Sequence, residues 1–339
     1  MSIGDYRLVF KNFRSVKDAW KKMETPDMSP FLLYDYMRYV KSAVTWSKPF
    51  FTRIACILPE GSDDILMICP LKLRIDFKYY TMLGDMQGCD IADVLWRPEL
   101  PDEERVAIIH FFYDSIKKKM YLNRIPAHSL LAQCVPIRRV SFSREMPYIA
   151  IDISGDYDSF FHTLSSSVRQ NIRTAYNRLH RDSVHIQFQC FSGENQVPVT
   201  LWRQIQSVYI ERLITQYSKH SHFFQALKTR VAVDLKHDSK ALSKAGNAFV
   251  SVLKNKDKVM AFMAGFKTLT GDRIVVPRLA IDAAYRFYSP GYVLMNETIR
   301  YLQQEGVVKV LDMSRGDEQY KKDFGGKSYF IKDFVIEKV

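Results

Sequence analysis

The part of the sequence that decides the fold is residues 282–324, which read DAAYRFYSPGYVLMNETIRYLQQEGVVKVLDMSRGDEQYKKDF. Apolar side chains recur there at helical spacing and predict an amphipathic helix from Pro290 to Glu305; they are Tyr292, Met295, Ile299 and Leu302. Pro290 suits the first helical position, Ser289 the N-cap and Gly306 the position after the last turn. Residues 307–311 form the next apolar run. The stretch therefore predicts a helix followed by a strand.

The same order of elements is found in both halves of the chain. In the second half, this helix follows predicted strands at residues 248–253, 259–266 and 273–281. In the first half, a helical segment at 30–44 is followed by predicted strands at 53–58, 65–71 and 79–83, a helix at 101–120 and a strand at 121–125. Two halves with one element order predict two tandem α/β (α+β) domains, each a mixed, mostly antiparallel sheet flanked by helices. We place them at residues 1–145 and 146–339.

A basic amphipathic helix is predicted between the halves, at residues 160–182. Its apolar face consists of Val168, Ile172, Ala175 and Leu179. Its polar face consists of Arg169, Arg173, Asn177 and His180. The polar face fits two interpretations, a solvated surface at the domain junction or the basic wall of a substrate channel.

Composition excludes several classes of protein. The 339 residues are 47% hydrophobic and 25% charged, which is typical of a globular chain. No apolar run approaches the roughly 18 to 20 residues of a bilayer span, and residues 1–13 interleave charges where a secretory signal would be apolar. We therefore expect a cytoplasmic protein without a transmembrane segment.

The metal-ligating and charged residues limit the possible partners. The five cysteines are scattered without a Cys-x-x-Cys pair, and His220 with His222 is the closest histidine pair, so we predict no structural metal. The net charge is +12, of which +8 lies after residue 150. A basic chain favours an anionic partner, and a nucleotide cofactor, RNA and a lipid surface all fit. Charge does not decide among them.

The N-terminus of the predicted helix at Pro290 is a candidate anion site. Free N–H groups and the helix dipole favour a pyrophosphate there, and Arg286 supplies a countercharge. An ordinary capped helix would show the same local pattern.

The spacing Arg286-x-x-Ser289-x-Gly291 resembles the pyrophosphate motif of the GNAT acyltransferases, Arg/Gln-x-x-Gly-x-Gly/Ala. Ser289 replaces the first glycine, and Pro290 removes one N–H donor. The resemblance implies an acyl-CoA co-substrate, held in the manner of that family by the backbone N–H groups of Gly291, Tyr292 and Val293. It also assigns Arg286, Ser289, Arg315 and Lys321 to cofactor binding.

More specifically, the chain is similar to the CelD/BcsL-type acetyltransferases, a GNAT branch associated with cellulose biosynthesis. The resemblance rests on Ser289-Pro290-Gly291 followed by Asp312-x-x-Arg315-Gly316-x-Glu318-x-Tyr320-Lys321. Weaker marks upstream are Pro70-Leu71, Leu83-Gly84, Asp90, Asp93, Ile125-Pro126, Ser129 and Arg169-x-x-Ile172-Arg173. The family implies an acetyl-CoA-dependent N-acetyltransferase whose acceptor is an amino sugar or another envelope or polysaccharide precursor.

Acyl transfer to an amine needs a base, a stabilised oxyanion and an acid for the leaving thiolate. Asp312 and Glu318 are the candidate bases, directly or through water, and Tyr320 is the candidate acid. Structural roles are open as well: Asp312 could cap the following loop and pair with Arg315, and Tyr320 could pack. Lys321 is expected to be a binding or structural cation.

The first half is expected to shape the acceptor site without binding CoA. Its main helix begins Pro-Asp-Glu-Glu at residues 101–104, and these carboxylates would repel a pyrophosphate. We expect the acceptor cleft between the halves, with Asp90, Asp93, Arg169 and Arg173 as substrate-binding residues.

Two other functions fit the sequence. One is a FemABX-like aminoacyl-tRNA-dependent transferase, because those enzymes are similar tandem GNAT folds, although no interleaved aromatic and basic RNA-binding module is visible. The other is a catalytically silent binding protein with a GNAT fold. The acceptor, the acyl chain length, the choice of N- or O-acylation and the oligomeric state cannot be read from the sequence.

Overall fold

The computed structural model describes residues 5–47, 50–85, 88–193, 195–217, 242 and 245–338. The chain divides into two compact units, one of residues 1–147 with 330–339 and one of residues 148–329. The sequence interpretation assigned the last ten residues to the second domain. They join the first unit because Ile331–Ile336 pairs antiparallel with residues 120–126.

The first unit is a sheet with helices. Its strands are β1 (Tyr6–Lys11), β2 (Phe50–Pro59), β3 (Met67–Arg74), β4 (Tyr79–Met82), β5 (Leu95–Trp96) and β6 (Lys119–Pro126). Its helices are α1 (Lys17–Lys22), α2 (Tyr34–Ser47), α3 (Asp102–Ser115) and α4 (Leu130–Gln133). The sheet runs β1-β2-β3-β4-β6, followed by the final strand of the chain. Its pairs are antiparallel except β4 with β6, which is parallel.

The predicted strands of the first half are all present, with shifted ends. The predicted helix 101–120 is shorter, since α3 ends at Ser115 and β6 begins at Lys119. Met120 and Leu122 are buried at strand spacing, and this packing outweighs helix propensity after residue 115. The sequence analysis missed β1, which is only six residues long and does not alternate apolar with polar side chains.

The second unit has the same arrangement. Its strands are the end of β7 (Val140–Asp152), β8 (Ile186–Ser192), β9 (Ala248–Asn255), β10 (Lys258–Lys267), β11 (Arg273–Ile281), β12 (Val310–Arg315) and the start of β13 (Lys327–Ile336). Its helices are α5 (Tyr157–Thr163), α6 (Ser166–Arg181), α7 (Val199–Tyr217), α8 (Pro290–Glu305) and α9 (Gln319–Asp323). The sheet order is β7-β12-β11-β10-β9-β8, antiparallel except for the parallel pair β11–β12.

Two copies of one strand–helix–strand topology are thus present. In each, a hairpin leads to a third strand, and the strand after the following helix pairs parallel with that third strand. These pairs are β4–β6 across α3 and β11–β12 across α8. The predicted fold class, a mixed and mostly antiparallel sheet flanked by helices in each half, is confirmed.

Two helices of the second unit cover one face of its sheet. The predicted apolar face of α6 is buried, and so are Met295, Ile299 and Leu302 of α8. Met263 of β10 joins this core. The preceding residue, Phe262, instead contacts Tyr209 of α7, with 6.1 Å between the ring centroids. Successive strand residues point to opposite faces, so α7 lies on the other side of the sheet.

Helix α8 begins at Pro290 and ends at Glu305, as the sequence predicts. Gly306 is left-handed at φ 72°, and its N–H donates to Leu302 O at 3.1 Å, which ends α8 as expected. The strand predicted at 307–311 is displaced to Val310–Arg315. Its entry is set by Asp272 O, which accepts from the N–H groups of Lys309 and Val310.

Candidate active site

The first turn of α8 was expected to present three N–H groups to an anion. Two of them are already used, since Tyr292 N and Val293 N donate to Ser289 O at 3.0 and 3.4 Å. The Val293 bond is the first regular bond of the helix, and the Tyr292 bond is the tighter i to i−3 form that often occurs at helix ends. Gly291 N–H remains in the first turn, where a helix offers no intrahelical acceptor. Anion binding at this end therefore depends on Gly291, the helix dipole and Arg286, whose side chain is exposed.

Ser289 does not cap α8 with its side chain, which corrects the sequence prediction. Its backbone is left-handed, at φ 49° and ψ 51°, and its hydroxyl makes no capping hydrogen bond to the helix. A capping residue normally has extended backbone angles, from which its side chain reaches the N2 or N3 N–H. The left-handed conformation disfavours residues with a Cβ by about 1 to 2 kcal/mol. This geometry accounts for the glycine that the GNAT motif has at the position of Ser289.

The strands β11 and β12 separate beside this helix. Their parallel pairing is confined to Arg273–Val275 against Val310–Asp312. Beyond it, Ala264 and Phe266 of β10 face Arg278 and Val275, so β11 carries one extra residue, a bulge at 276–277. A Cβ at Gly265 would collide with the Val275 carbonyl, so a glycine is required on the facing strand.

β12 turns away at the same level. Its register against β7 shifts between Asp312 and Arg315, and Ser314 is left-handed at φ 57°. With both strands irregular after their short paired segment, the sheet of the second unit opens between 276–281 and 313–315. An extended substrate chain can enter a sheet only through such a gap, because elsewhere the backbone groups are paired.

Tyr320 lies on α9, which follows β12. The phenol is half-buried against the core of the second unit. Burial raises its pKa, Glu318 adds to the rise, and Arg212 of α7 opposes it. Among the residues that the structure describes, no hydrogen-bond partner of the Tyr320 hydroxyl is found. A protonated, unpartnered phenol can donate a proton to a substrate.

Asp312 is held in a saturated ion pair. Its side chain is fully buried in β12 and accepts hydrogen bonds from Arg273 at 2.6 Å, Tyr329 at 2.7 Å and Ser314 N at 2.8 Å. Asp312 raises the pKa of Arg273 against the opposing effect of burial, and the Arg273 guanidinium lies 5.6 Å from the Tyr329 ring centre. The expected partner, Arg315, is exposed. This arrangement favours a structural role for Asp312, because its carboxylate is held by three donors.

Lys321 is a structural cation of the loop before α9. Its side chain is 3% exposed, and Nζ lies 2.6 Å from Arg315 O, 3.3 Å from Gly316 O and 2.8 Å from Glu318 Oε2. These contacts tie the loop to its own helix. Glu318 is half-exposed, so its carboxylate remains accessible to a substrate or a water molecule.

A second contact fixes α9 beside the N-terminus of α8. The Tyr292 hydroxyl donates to Asp323, and its ring lies 5.7 Å from that of Phe324. The pKa of Tyr292 is raised to about 12, mainly by burial and further by the hydrogen bond to Asp323. These contacts place α9, the helix that carries Tyr320, beside the first turn of α8.

Asp90 and Asp93 belong to the first unit and are engaged within it. Ser129 Oγ and Val94 N donate to the same oxygen of Asp93, at 2.6 and 2.8 Å, and burial raises the pKa of Asp93 to about 6. Asp90 lies 3.6 Å from Arg124, which also donates to Cys89 O. Asp93 and Ser129, two of the residues on which the family resemblance rests, therefore belong to one buried polar cluster. Such engagement suits a structural role.

The two arginines predicted on α6 have different surroundings. Arg169 donates to the carbonyls of His162 and Leu164, at 2.9 and 2.6 Å, and so caps the end of α5. Arg173 is exposed and lines a cavity of about 300 Å³ between α5, α6 and α8. The sequence analysis missed the residues of α8 in this cavity, although Asn296 is a polar position within the buried side of the helix.

Cysteines and possible metal ligands give no further site. The cysteines are free; Cys56, Cys69 and Cys89 are buried, and Cys134 and Cys190 are partly exposed. In the described part of the chain, no group of three or more His, Cys, Asp or Glu side chains could hold a metal ion. His220 and His222 lie outside the described residues. No helix within the described ranges is long and apolar enough to cross a membrane.

Comparison with known proteins agrees with this geometry. Residues 166–322 match the family model for an acetyltransferase (GNAT) domain, so the chain contains a GNAT acetyltransferase-like domain. The matched segment includes α6, α8, β12 and Tyr320. Comparison with curated protein sequences gave no significant match.

Solved structures resemble the chain over nearly its full length. FemX is 9% identical with a TM-score of 0.57, covering 96% of each chain. A tandem GNAT protein from the clavulanic acid biosynthesis pathway is 9% identical with a TM-score of 0.53, covering 98% of each. The C-terminal domain of a putative lysylphosphatidylglycerol synthetase from Agrobacterium fabrum is 11% identical with a TM-score of 0.57, covering 96% of this chain and 92% of that one. At these identities the likeness shows the fold, a tandem GNAT architecture.

Proposed function

We propose that the chain is an acyl-CoA-dependent N-acyltransferase that uses acetyl-CoA. The observation that carries the proposal is the gap between β11 and β12, which opens beside the N-terminus of α8. Tyr320, with its unpartnered hydroxyl, lies on the helix that follows β12. The gap lies within the segment that matches the GNAT domain model. A thioester in the gap and a pyrophosphate at Gly291 and Arg286 would use both features.

In this reaction, the amine nitrogen attacks the thioester carbonyl and forms a tetrahedral intermediate. Its collapse breaks the carbon–sulfur bond, the amide is released, and the thiolate takes the proton of Tyr320, which is restored from solvent. The proton of the amine passes to Glu318 or to water. We leave Asp312 out of the proton transfers, because its oxygens already accept from Arg273, Tyr329 and Ser314.

The bulge at residues 276–277 supplies candidate groups for the oxyanion. A bulge leaves backbone groups outside the strand pairing, and those at the gap would face the thioester carbonyl. Pro277 has no N–H, so the N–H group of Val276 is the candidate. Fixed backbone donors of this kind stabilise charge that develops during reaction.

For the acceptor, we propose an amino sugar or another amine-bearing precursor of a polysaccharide or cell envelope. The support is the resemblance of the segment from Ser289 to Lys321 to the CelD/BcsL-type acetyltransferases. Turnover of acetyl-CoA with a panel of amino sugars, amino acids and polyamines tests this class. Transfer to a hydroxyl of an amine-free sugar would contradict it.

Binding of acetyl-CoA tests the donor. Calorimetry should show saturable binding to the wild-type chain and none to Gly291→Asp, because the new carboxylate would lie where the phosphates bind. Gly291→Ala is the matched control. Its Cβ would lie 3.5 Å from Ile281 Cγ2, an ordinary contact, so the fold should be retained.

A second candidate is an aminoacyl-tRNA-dependent transferase. It is favoured by an aromatic and basic cluster beside the helix N-terminus: Phe287 is 53% exposed, and Arg178 and Arg181 lie 4.7 and 5.7 Å from its ring centre. Nucleotide bases stack on such surfaces. Filter binding of aminoacyl-tRNA, abolished by Phe287→Ala, together with no turnover of acyl-CoA, would favour this function over the first.

A further inference from the structure

The second unit contains a cavity that the acyl-CoA site does not use. It has a volume of about 300 Å³ and lies between α5, α6 and α8. Its α8 residues are Asn296, Glu297 and Arg300. At 1.5 Å per residue, Glu297 and Arg300 lie about 9 to 14 Å along the helix from Gly291. The cavity is therefore separate from the N-terminal turn where we place the pyrophosphate.

The base of the cavity is a fixed hydrogen-bond network. Asn296 is 5% exposed; its Oδ1 accepts from the Tyr157 hydroxyl at 2.6 Å, and its Nδ2 donates to the Tyr176 oxygen at 3.1 Å. The Tyr176 hydroxyl in turn donates to Glu297 Oε1. A buried amide within a helix face is unfavourable unless its groups are paired, and here each bond sets the direction of the next. The network fixes Glu297 at the base.

Charges of both signs surround the opening. Arg173 and Arg300 are exposed, and the Arg300 guanidinium lies 5.5 Å from the ring centre of Tyr157. Arg173 comes from α6 and Arg300 from α8, so the two cations belong to different walls of the cavity. Tyr157 and Phe161 stack at 5.8 Å and form an apolar wall. The lining thus offers two cations, one carboxylate and one aromatic surface.

We propose that this cavity binds a small amino-carboxylate, of the class of the free amino acids. The two guanidinium groups would hold the carboxylate, since arginine pairs with carboxylates through two parallel hydrogen bonds. Glu297 Oε2, to which no residue of the described chain donates, would accept from the ammonium group. The apolar part of the ligand would lie against Tyr157 and Phe161. A volume of about 300 Å³ is at the lower end for ligand sites and suits a molecule of this size.

The site is independent of the acyl transfer proposed above. Its test is calorimetry of the full chain with glycine, L-alanine and L-phenylalanine, with acetate, methylamine and inorganic phosphate as single-charge probes. The wild-type chain should bind at least one of the amino acids saturably and the single-charge probes at least tenfold more weakly. Arg173→Gln and Arg300→Gln should each weaken amino-acid binding at least tenfold. Both side chains are exposed, so the variants should fold.

Two controls distinguish the site from general charge and from the acyl-CoA site. Arg181→Gln removes the same charge from the same helix outside the cavity and should leave binding unchanged. Glu297→Gln should weaken the binding of amino acids tenfold and leave the binding of acetate unchanged. Amino-acid binding should also persist in saturating acetyl-CoA and in Gly291→Asp.

Three results would overturn the proposal. One is the absence of saturable amino-acid binding up to about 10 mM. Another is equal weakening by Arg181→Gln and Arg173→Gln. The last is tight binding of acetate or phosphate together with unchanged affinity of Glu297→Gln for every probe. That result would make the cavity a simple anion site. Failure of the acyl-CoA proposal would appear separately, as loss of acetyl-CoA binding with the amino-acid result intact.

Discussion

Replacing Asp312 with asparagine removes a buried negative charge while it keeps the shape of the side chain. Wild-type Asp312 accepts from Arg273, Tyr329 and Ser314 N. Hydrogen bonds to a charged group contribute about 1.5 to 3 kcal/mol each, and breaking a fully buried ion pair costs about 3 to 5 kcal/mol. The Arg273 side chain is 37% exposed, so water can partly compensate it after the substitution. We therefore expect a loss of about 2 to 3 kcal/mol of unfolding free energy.

For a unit of this size, that loss corresponds to a decrease in Tm of roughly 4 to 12 °C. Thermal unfolding followed by circular dichroism measures it, with acetyl-CoA turnover assayed well below both midpoints. Asp317→Asn is the matched control, because its carboxylate is 68% exposed and 3.6 Å from Lys322. An exposed pair of this kind contributes about 0 to 1 kcal/mol.

Turnover by folded Asp312→Asn should remain within about threefold of wild type, since the carboxylate positions strands and transfers no proton. The opposite pattern would show a catalytic role for Asp312. If kcat fell about 100-fold while Tm stayed unchanged, Asp312 would be the base that the sequence suggested, and its ion pair would be part of the catalytic machinery.

Two further predictions concern single residues. Asp93→Asn should flatten the dependence of unfolding free energy on pH. The native pKa of Asp93, about 6, lies above the value of an unfolded aspartate. The wild-type chain therefore loses up to about 3 kcal/mol of unfolding free energy as pH rises from about 4 to about 6. Both donors to Asp93 reach one oxygen, which asparagine retains, so the hydrogen bonds should survive the substitution. Urea unfolding of both proteins at pH 5 and pH 7 measures the change in stability with pH. An identical pH dependence in the two proteins would contradict the prediction. Tyr320→Phe should lower kcat by about 10² to 10⁴ and change the Kd for acetyl-CoA less than twofold, because a proton donor acts on charge that develops during reaction. Stopped-flow rates of thiol release measure the chemical step, and near wild-type rates would make Tyr320 a packing residue.

Local pattern was sufficient for the elements that depend on neighbouring residues. The bounds of α8 follow from Pro290, its apolar stripe and Gly306, and all act within the helix itself. The repeated element order predicted the fold class for the same reason. Each hairpin and helix carries its own periodicity.

Contacts between distant residues could not be predicted in this way. Asp312 pairs with Arg273, 39 residues earlier, in place of its neighbour Arg315, because the parallel pairing of β11 with β12 aligns these strands. The final strand pairs with β6, more than two hundred residues away, and local periodicity gives no sign of that partner.

The most direct measurement of the central claim is acetyl-CoA binding by calorimetry to the wild-type chain, Gly291→Ala and Gly291→Asp. We expect saturable binding to wild type, retained within about tenfold in the alanine variant and lost in the aspartate variant, with all three proteins folded. The first-turn carboxylate would repel the pyrophosphate, and the methyl group alone would not. Unchanged affinity in folded Gly291→Asp, or no binding by the wild-type chain, would contradict an acyl-CoA site at the N-terminus of α8.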